Sequence, residues 1–170
     1  MDFLELAQKR YSVRGYKPDP VEDGKLKKVL EAANLAPTAA NKQPFHIVVV
    51  HTKGREEELK QIYPRDWFVQ APLLICLCGT SGSAWVRTKD SRNYCDVDVA
   101  IAMDHLVMEA TDLGLGTCWI AAFDPDAARR ILGLPPDVQP MLFTPLGYGN
   151  AEPRPKKRKE ISEVVKYERW

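Results

Sequence analysis

The chain of 170 residues has the length of one domain and can bury about 70% of the surface that its unfolded form exposes. Its charges balance, with 24 Lys and Arg against 23 Asp and Glu, so the broadly cationic surface of a nucleic-acid-binding protein is not expected. The opening MDFLELAQKR lacks the apolar core of a signal peptide, and no apolar run reaches membrane-spanning length. These features predict a soluble protein with no nucleic-acid or membrane partner.

The cysteines and histidines indicate neither disulfides nor a metal site. The four cysteines show no CxxC spacing and, apart from the surroundings of Cys95, have apolar neighbours, so buried reduced thiols and a cytoplasmic location are expected. The three histidines are far apart along the chain and lack partners at ligand spacing. The residues concerned are Cys76, Cys78, Cys95, Cys118, His46, His51 and His105.

The first third of the chain predicts two amphipathic helices and a loop. Residues 2–9 place apolar side chains on one side of a helix that ends in the basic stretch KRYSVRGY. After KPDPVED, apolar positions between residues 26 and 33 recur with helical spacing. That second helix ends at NLAPTAANKQP, a loop of small and amide residues between Pro37 and Pro44.

The remaining chain predicts four strands and three further helices. FHIVVVH (45–51) and LLICLC (73–78) are typical of buried strands, with a short surface helix at 55–62 between them. The flexible loop GTSGSAW leads to a long apolar helix over 96–113, for which Gly114 provides the C-terminal cap. A third strand is expected over 117–123, a short helix over 124–132 and a fourth strand over 141–149.

This arrangement predicts a layered sandwich of the α+β class, since helices and strands alternate without a strict βαβ order. The last twenty residues differ in character from the rest. The segment AEPRPKKRKEISEVVKYERW has prolines, few apolar residues and no core of its own. We therefore expect an extended arm that packs against another surface. We therefore divide the chain into a domain over 1–150 and an arm over 151–170.

Two separate basic clusters are candidates for one anion site. KRYSVRGY (9–16) is compatible with a solvated helix end or with an anion site of arginines and hydroxyls. PKKRK (155–159) alone is typical of a solvated segment or a nucleic-acid patch. If both clusters meet on one phosphate, each charge-assisted bond contributes about 1.5 to 3 kcal/mol. The amides of Asn41 and Gln43 and the small side chains of CWIAAF are suited to a flat heterocycle.

Other catalytic motifs are weak. No GxSxG is present, and neither Cys95 nor Cys118 has an evident base. GLG at 114–116 lacks the third glycine of a dinucleotide-binding motif and follows a helix instead of a strand.

Taken together, these stretches resemble the short form of the FMN-dependent nitroreductase family, about 170 residues long. The resemblance covers nearly the whole chain, from RYSVRGY and APTAANKQPFHIVVV through DVDVAIAMDHLVMEATDLGLGTCWIAAFD, LGLPPDV and PLGYG to the closing EPRPKKRKEISEVVKYERW. It implies a three-layer α/β/α sandwich that forms an intertwined homodimer by exchanging the C-terminal arms. One FMN would lie in each of two pockets at the subunit interface.

The resemblance also implies a role for particular residues. Arg10 and Ser12, with Tyr11 between them, match the motif that holds the flavin phosphate and ribityl chain. Arg14 matches the cation at the pyrimidine edge, which would stabilise negative charge on reduced flavin. The remaining matches are Lys156 and Arg158 at the phosphate, Pro37, Thr38, Asn41 and Gln43 in a loop serving the neighbouring subunit's pocket, and Ile120, Ala121 and Ala122 near the reactive N5.

The chain departs from longer family members in two places. Ala121 and Ala122 stand where those members have a Glu-Gly pair, so a substrate contact through that carboxylate is absent. Their basic segment near the ring has no counterpart in IYPRDWFVQAP, so Tyr63 and Trp67 receive no role from the resemblance. Residues 79–93 fall in the region that varies most and are expected to shape the substrate opening.

The activity implied is that of an NAD(P)H-dependent flavoenzyme acting by a ping-pong mechanism on nitroaromatic, quinone or similar acceptors. The flavin carries the chemistry, so no catalytic acid or base is assigned. Two alternatives remain open: a relative with dehalogenase, azoline oxidase or flavin-fragmenting activity, and a flavin-binding module that nicotinamide never reduces.

Overall fold

The structure, a computed structural model, describes residues 2–153 and 155–170. The helices of this part of the chain are α1 (Phe3–Lys9), α2 (Asp23–Asn34), α3 (Glu56–Lys60), α4 (Asp66–Gln70), α5 (Cys95–Asp112), α6 (Pro125–Leu132) and α7 (Ile161–Val164). Its strands are β1 (Phe45–His51), β2 (Leu73–Gly79), β3 (Val86–Arg87), β4 (Arg92–Asn93), β5 (Gly116–Thr117) and β6 (Gln139–Gly147).

The main sheet is antiparallel, with the strand order β1-β2-β6-β5. Strand β2 lies between β1 and β6, and each of its seven residues is buried. The continuous apolar run LLICLC therefore belongs to a strand covered on both faces. By contrast, among the residues described β1 pairs only with β2, and it is mostly half-buried. Our expectation of an interior strand at 45–51 was wrong in that respect, because β1 forms an edge of the sheet.

Two apolar cores lie on opposite faces of this sheet. Side chains alternate along a strand, so Leu73, Ile75 and Leu77 of β2 point to one face while Leu74 and Cys76 point to the other. The first face packs against α2 and α5, and the second against residues of α3, α4 and α6. The result is a sheet between two helical layers, which agrees with the predicted α/β/α sandwich and α+β class.

Helix α5 is the apolar centre of the first layer. It matches the helix expected over 96–113 to within one residue at each end. Gly114 follows it with φ +77°, and the N–H of Leu115 bonds to the carbonyl of Ala110 at 2.8 Å, so the glycine permits the left-handed turn that ends the helix. One face of α5 stays open, where Val97, Ala100 and Ile101 line a shallow hollow with two aspartates.

The strand expected over 117–123 is present only in part. Strand β5 contains only Gly116 and Thr117, and Ile120 forms an isolated bridge to Phe143. Between these two pairs, the N–H of Cys118 donates to the side-chain hydroxyl of Thr144 at 3.0 Å. Because a side chain takes the bond that a neighbouring strand would accept, the ladder is interrupted at Cys118, and pairing with β6 returns only at Ile120.

Several short elements escaped the sequence patterns, including α7 in the arm that was expected to be extended. Residues expected to form the loop GTSGSAW contain a short 3-10 helix at Ser81–Ser83 and lead into the hairpin of β3 and β4. Helix α4, only five residues long, follows Pro64. Elements this short offer too few periodic positions to be recognised from sequence.

The four cysteines are buried and unbridged, as predicted. In the part of the chain that the structure describes, three or more potential metal-ligating side chains nowhere converge. None of the helices described combines the length and apolar character needed to cross a bilayer.

Candidate functional site

The segment RYSVRGY runs as extended chain beside the sheet and presents its polar residues on one side. Val13 and Tyr16 are buried in a small cluster with Ala71, whereas Ser12 and Arg14 are exposed. This is the alternation of an extended strand with one covered face. The segment is attached by a parallel bridge between Ser12 and Thr117, in which the Val13 N–H donates to the Thr117 carbonyl at 2.9 Å.

Glycines allow this segment to approach the sheet closely. A Cβ atom on Gly116 would lie 2.8 Å from a methyl group of Val13, and one on Gly15 would lie 2.4 Å from Oδ1 of Asn150. Real Cβ atoms do not tolerate these distances, so both positions require glycine for close packing. This close packing sets the distance between β5 and the segment that carries the exposed Ser12 and Arg14.

The C-terminal arm reaches the same place through two contacts. The Tyr11 hydroxyl donates to the Ala151 carbonyl at 2.7 Å. The Lys156 ammonium donates to the Ala7 carbonyl at 2.7 Å and also to the Gln8 carbonyl. Both carbonyls lie in the last turn of α1, where a helix carries partial negative charge, so α1 holds the lysine in position.

These contacts bring the two basic clusters to one cavity of about 400 Å³. Its size falls within the usual range for small-molecule sites. The lining residues come from the start of the chain and from the arm: Arg10, Tyr11, Ser12, Arg14, Ala151, Glu152, Lys156 and Arg158.

The positive charges that line the cavity favour the binding of an anion. Burial lowers the pKa of Lys156, and the positive charges of Arg10 and Arg158 lower it further. Within the described residues, none of these three cations has an ion-pair partner within 4.0 Å, although Glu152 lines the same cavity. Mutual repulsion among cations is relieved by a bound anion, and two guanidinium groups, an ammonium and the Ser12 hydroxyl are donors suited to a phosphate. The donor set therefore fits the phosphate end of FMN.

Arg14 lies at the edge of the cavity against an aromatic ring. Its guanidinium carbon is 5.9 Å from the centre of the Trp67 ring. Burial raises the pKa of the Cys118 thiol, while the charge of Arg14, a hydrogen bond from Ser12 and the charge of Arg10 oppose that rise. The positive field of the cavity therefore extends to the chain just before residues 120–122.

The loop at 37–43 holds an unusual backbone conformation. Ala40, Asn41 and Gln43 have φ values of 51°, 53° and 48°, which non-glycine residues rarely adopt. The Gln43 N–H donates to the Thr38 hydroxyl at 3.0 Å, and the Gln43 amide nitrogen lies 3.2 Å from both the carbonyl and the side-chain oxygen of Asn41. Strained loops of this kind are concentrated at functional sites.

A buried carboxylate holds this loop. Asp98, in the first turn of α5, is 1% exposed, and its Oδ1 accepts the Ala39 N–H at 2.9 Å. Its second oxygen, Oδ2, is buried and has no hydrogen-bond partner among the residues described.

The residues proposed from the sequence thus fall into three groups. Arg10, Tyr11, Ser12, Arg14, Lys156 and Arg158 line one cavity. Ile120, Ala121 and Ala122 follow the segment paired with Ser12 but are absent from the cavity lining. Ile120 forms an isolated bridge to Phe143, and Ala121 and Ala122 come directly after it. Pro37, Thr38, Asn41 and Gln43 lie in the loop held by α5 and also stay outside the cavity of this chain.

Sequence reasoning missed three participants. Trp67 lies in an element too short to show periodicity, and Asp98 has the pattern of any acidic residue near a helix start. Glu152 borders the basic cluster in sequence but carries no motif. Only the structure shows that Trp67 lies against Arg14, that Asp98 holds the loop at 37–43 and that Glu152 lines the cavity.

A family model described as the nitroreductase family matches residues 7–67 and 55–148 of the chain. The structure is similar to that of a nitroreductase family protein from Clostridium difficile 630, with a TM-score of 0.92, 37% identity and full coverage of both chains.

Two curated relatives carry functional names. An NADH dehydrogenase from Thermus thermophilus is 28% identical, over 97% of this chain and 95% of its own length. An FMN reductase from Bacillus subtilis is 27% identical, over 92% of this chain and 69% of its own length.

Proposed function

Because the chain belongs to the nitroreductase family and is an NAD(P)H-dependent oxidoreductase, we propose that it holds FMN and reduces nitroaromatic, quinone or similar acceptors by a ping-pong mechanism. The FMN reductase among the relatives supports flavin as the redox cofactor. When bound, FMN would accept a hydride, with its two electrons, from NAD(P)H and pass the electrons to the acceptor.

The observation that carries this proposal is the meeting of Arg10, Lys156 and Arg158 in one cavity. Arg10 is separated from Lys156 and Arg158 by nearly the whole chain, and their convergence leaves three like charges without a described counter-ion. A doubly charged phosphate is the natural occupant, with Ser12 adding a hydroxyl. In this proposal Arg10, Tyr11, Ser12, Lys156 and Arg158 hold the phosphate and ribityl end of FMN.

The flavin ring would extend from this cavity toward Arg14 and residues 120–122. Arg14 supplies positive charge near the ring, and the small side chains of Ala121 and Ala122 leave a backbone N–H accessible. Because neither position carries a carboxylate, the acceptor is selected by shape and stacking rather than by a charge at this point. NAD(P)H and the acceptor use the same cleft in turn.

We further propose a homodimer in which each cleft is completed by the other chain's loop at 37–43. Two features support it. On the open face of α5, the half-buried Val97, Ala100 and Ile101 line a shallow hollow. The arm exposes its apolar side chains, including Ile161 at 72% and Tyr167 at 84%. Residues 1–150 would form the flavin domain and 151–170 the arm that packs on the partner, with Arg154 and Met1 lying outside the described residues.

The test is spectroscopic and uses the purified chain. The protein should be yellow or become so when titrated with FMN, and NADH or NADPH should bleach the flavin absorbance without oxygen. Addition of a nitroaromatic or a quinone should restore it. A protein that neither carries nor gains flavin would overturn the proposal, and flavin that no nicotinamide bleaches would identify a non-enzymatic flavin-binding module.

A panel of acceptors separates the proposal from its enzymatic alternatives. Reduced protein is mixed with nitroaromatics, quinones, halogenated aromatics and azoline peptides, and reoxidation is followed in each case. Faster reoxidation by nitroaromatics and quinones is expected. Preference for a halogenated aromatic would indicate a dehalogenase, while flavin that is consumed would indicate a fragmenting enzyme.

A matched pair of variants tests the phosphate site. Arg158→Gln removes a guanidinium from the cavity, and FMN affinity should fall about 10- to 100-fold, since a charge-assisted bond contributes about 1.5 to 3 kcal/mol. Lys157→Gln, which removes an exposed neighbour that does not line the cavity, should bind FMN within about twofold of the unchanged protein. Equal losses in both variants would show that the arm attracts FMN only through its total charge.

A further inference from the structure

Trp67 forms a platform beneath the charge of Arg14. The guanidinium carbon lies 5.9 Å from the ring centre, a distance at which a cation is attracted to the electron-rich face of an indole. Arg14 is exposed and has a flexible side chain. Among the described residues it has no ion-pair partner. The Trp67 ring is therefore the contact that restricts where its charge lies.

Contacts with neighbouring side chains hold the Trp67 ring in place. Trp67 is half-buried in α4 and meets the ring of Tyr63 edge-on, with 5.7 Å between the ring centres and an angle of 75°. It also packs against the cluster of Val13, Tyr16 and Ala71, which anchors the RYSVRGY segment. Because the same cluster holds the indole and the segment that carries Arg14, the indole lies at a fixed distance from the backbone of that segment.

The charge of Arg14 acts on the nearby segment that contains Cys118. Arg14 lowers the pKa of Cys118 against the effect of burial, and Cys118 lies two residues before Ile120. A positive charge that influences this thiol also reaches a ring bound beside residues 120–122. Fixed positive charge near a redox ring favours its more negatively charged, reduced state.

We propose that Trp67 is a positioning residue that orients Arg14 over the cleft and thereby raises the reduction potential of the bound flavin. This inference depends on the proposed FMN site. It assigns a role to the segment IYPRDWFVQAP, which the resemblance left without one. Trp67 itself donates no proton or electron.

The experiment measures the midpoint potential of the FMN-loaded protein and of the variants Trp67→Leu, Trp67→Phe, Arg14→Gln and Trp67→Leu/Arg14→Gln. Trp67→Leu should lower the potential by about 30 mV, which is tenfold in the equilibrium constant of a two-electron reduction. Trp67→Phe keeps an aromatic face and should recover at least half of that loss. Arg14→Gln should lower the potential at least as much as Trp67→Leu.

The double variant and a packing control make the test specific. If Trp67 acts through Arg14, Trp67→Leu should produce no further shift once Arg14 is absent. Phe68→Leu removes apolar volume from the fully buried neighbour in α4 and should leave the potential unchanged while reducing stability. A Trp67→Leu shift that persists without Arg14, or that Phe68→Leu reproduces, would overturn the inference.

A second cycle uses flavin-free protein and separates this inference from the proposed function. The unchanged protein, Trp67→Leu, Arg14→Gln and the double variant are compared by their unfolding equilibrium constants. A coupling of about two- to fivefold between Trp67 and Arg14 is expected. If FMN never binds, the proposed function fails whether or not this coupling is found. If FMN binds and both cycles are purely additive, only the role of Trp67 is lost.

Discussion

At the scale of single residues, Lys156 shows how the site links charge to protonation. Its ammonium is held by two carbonyls of α1 and lies near two guanidinium groups. Burial, followed by the charges of Arg10 and Arg158, lowers its pKa from the ordinary value of 10.5. The charged form is therefore less favoured than in a free lysine, and a bound anion should return the pKa toward its usual range.

This gives a prediction about the pH dependence of FMN binding. Below its pKa Lys156 is charged and attracts the phosphate, and as the pH rises through that lowered pKa the attraction is lost. FMN affinity should therefore begin to fall below pH 10.5. Lys156→Gln should bind about tenfold more weakly at neutral pH. Titrating FMN into both proteins from pH 7 to 10.5 should show their affinities converging as the pH rises, since ionisation of FMN itself affects both equally. A ratio of affinities that stays constant with pH would contradict the assignment.

At the scale of elements, the junction between α5 and the loop at 37–43 joins a rigid helix to a strained segment. The Asp98 carboxylate at the start of α5 accepts the Ala39 N–H, and positive φ values follow at Ala40 and Asn41. Such conformations cost about 1 to 3 kcal/mol each and persist only where surrounding contacts enforce them. The loop geometry therefore depends on a helix that is distant in sequence.

The matching prediction concerns loop opening. Asp98→Ala removes the acceptor for the Ala39 N–H, and exchange of that amide should accelerate about 10- to 100-fold, as expected for loss of a hydrogen bond to a charged group worth about 1.5 to 3 kcal/mol. Asp96→Ala is the control, because Asp96 lies exposed in the same first turn. Hydrogen exchange followed by mass spectrometry over residues 37–43 measures both. Equal protection in the two variants would mean that Asp98 does not hold the loop.

At the scale of the whole molecule, apolar surface remains uncovered on the α5 side of the sheet and along the arm. The α5 hollow contains Val97, Ala100 and Ile101, while Trp170 at the end of the arm is fully exposed. Contiguous exposed apolar surface favours association, and a second copy of the chain offers a matching face through a two-fold axis.

A charge placed on that face should separate the subunits. Ile101→Asp should shift the protein from dimer to monomer in light scattering and weaken FMN binding, since each cleft would lose the other chain's loop. Gln61→Asp adds the same charge at the exposed end of α3, on the opposite layer, and should remain dimeric. A dimer that persists in Ile101→Asp with unchanged affinity would place the interface elsewhere.

Several elements were predictable because their signals are local. Helix α5 has eighteen residues, most of them apolar, and is followed by Gly114, while β2 is a continuous apolar run, so length and composition suffice to identify both elements. The third strand was not predictable past Thr117. Its pairing is interrupted at Cys118, where the Thr144 hydroxyl, from a strand 26 residues away, takes the N–H, and it returns only as the single bridge between Ile120 and Phe143.

By itself the sequence determined which residues bear the charge and where the main helices and strands run. It also showed two basic clusters, which would form an anion site only if both met on the same anion. Only the tertiary structure decided that these clusters share a cavity, that Trp67 lies beneath Arg14 and that Asp98 holds the strained loop. The reason is physical: periodicity and capping act over a few residues, whereas these contacts join positions from 53 to nearly 150 residues apart through the packing of the sheet and its helices.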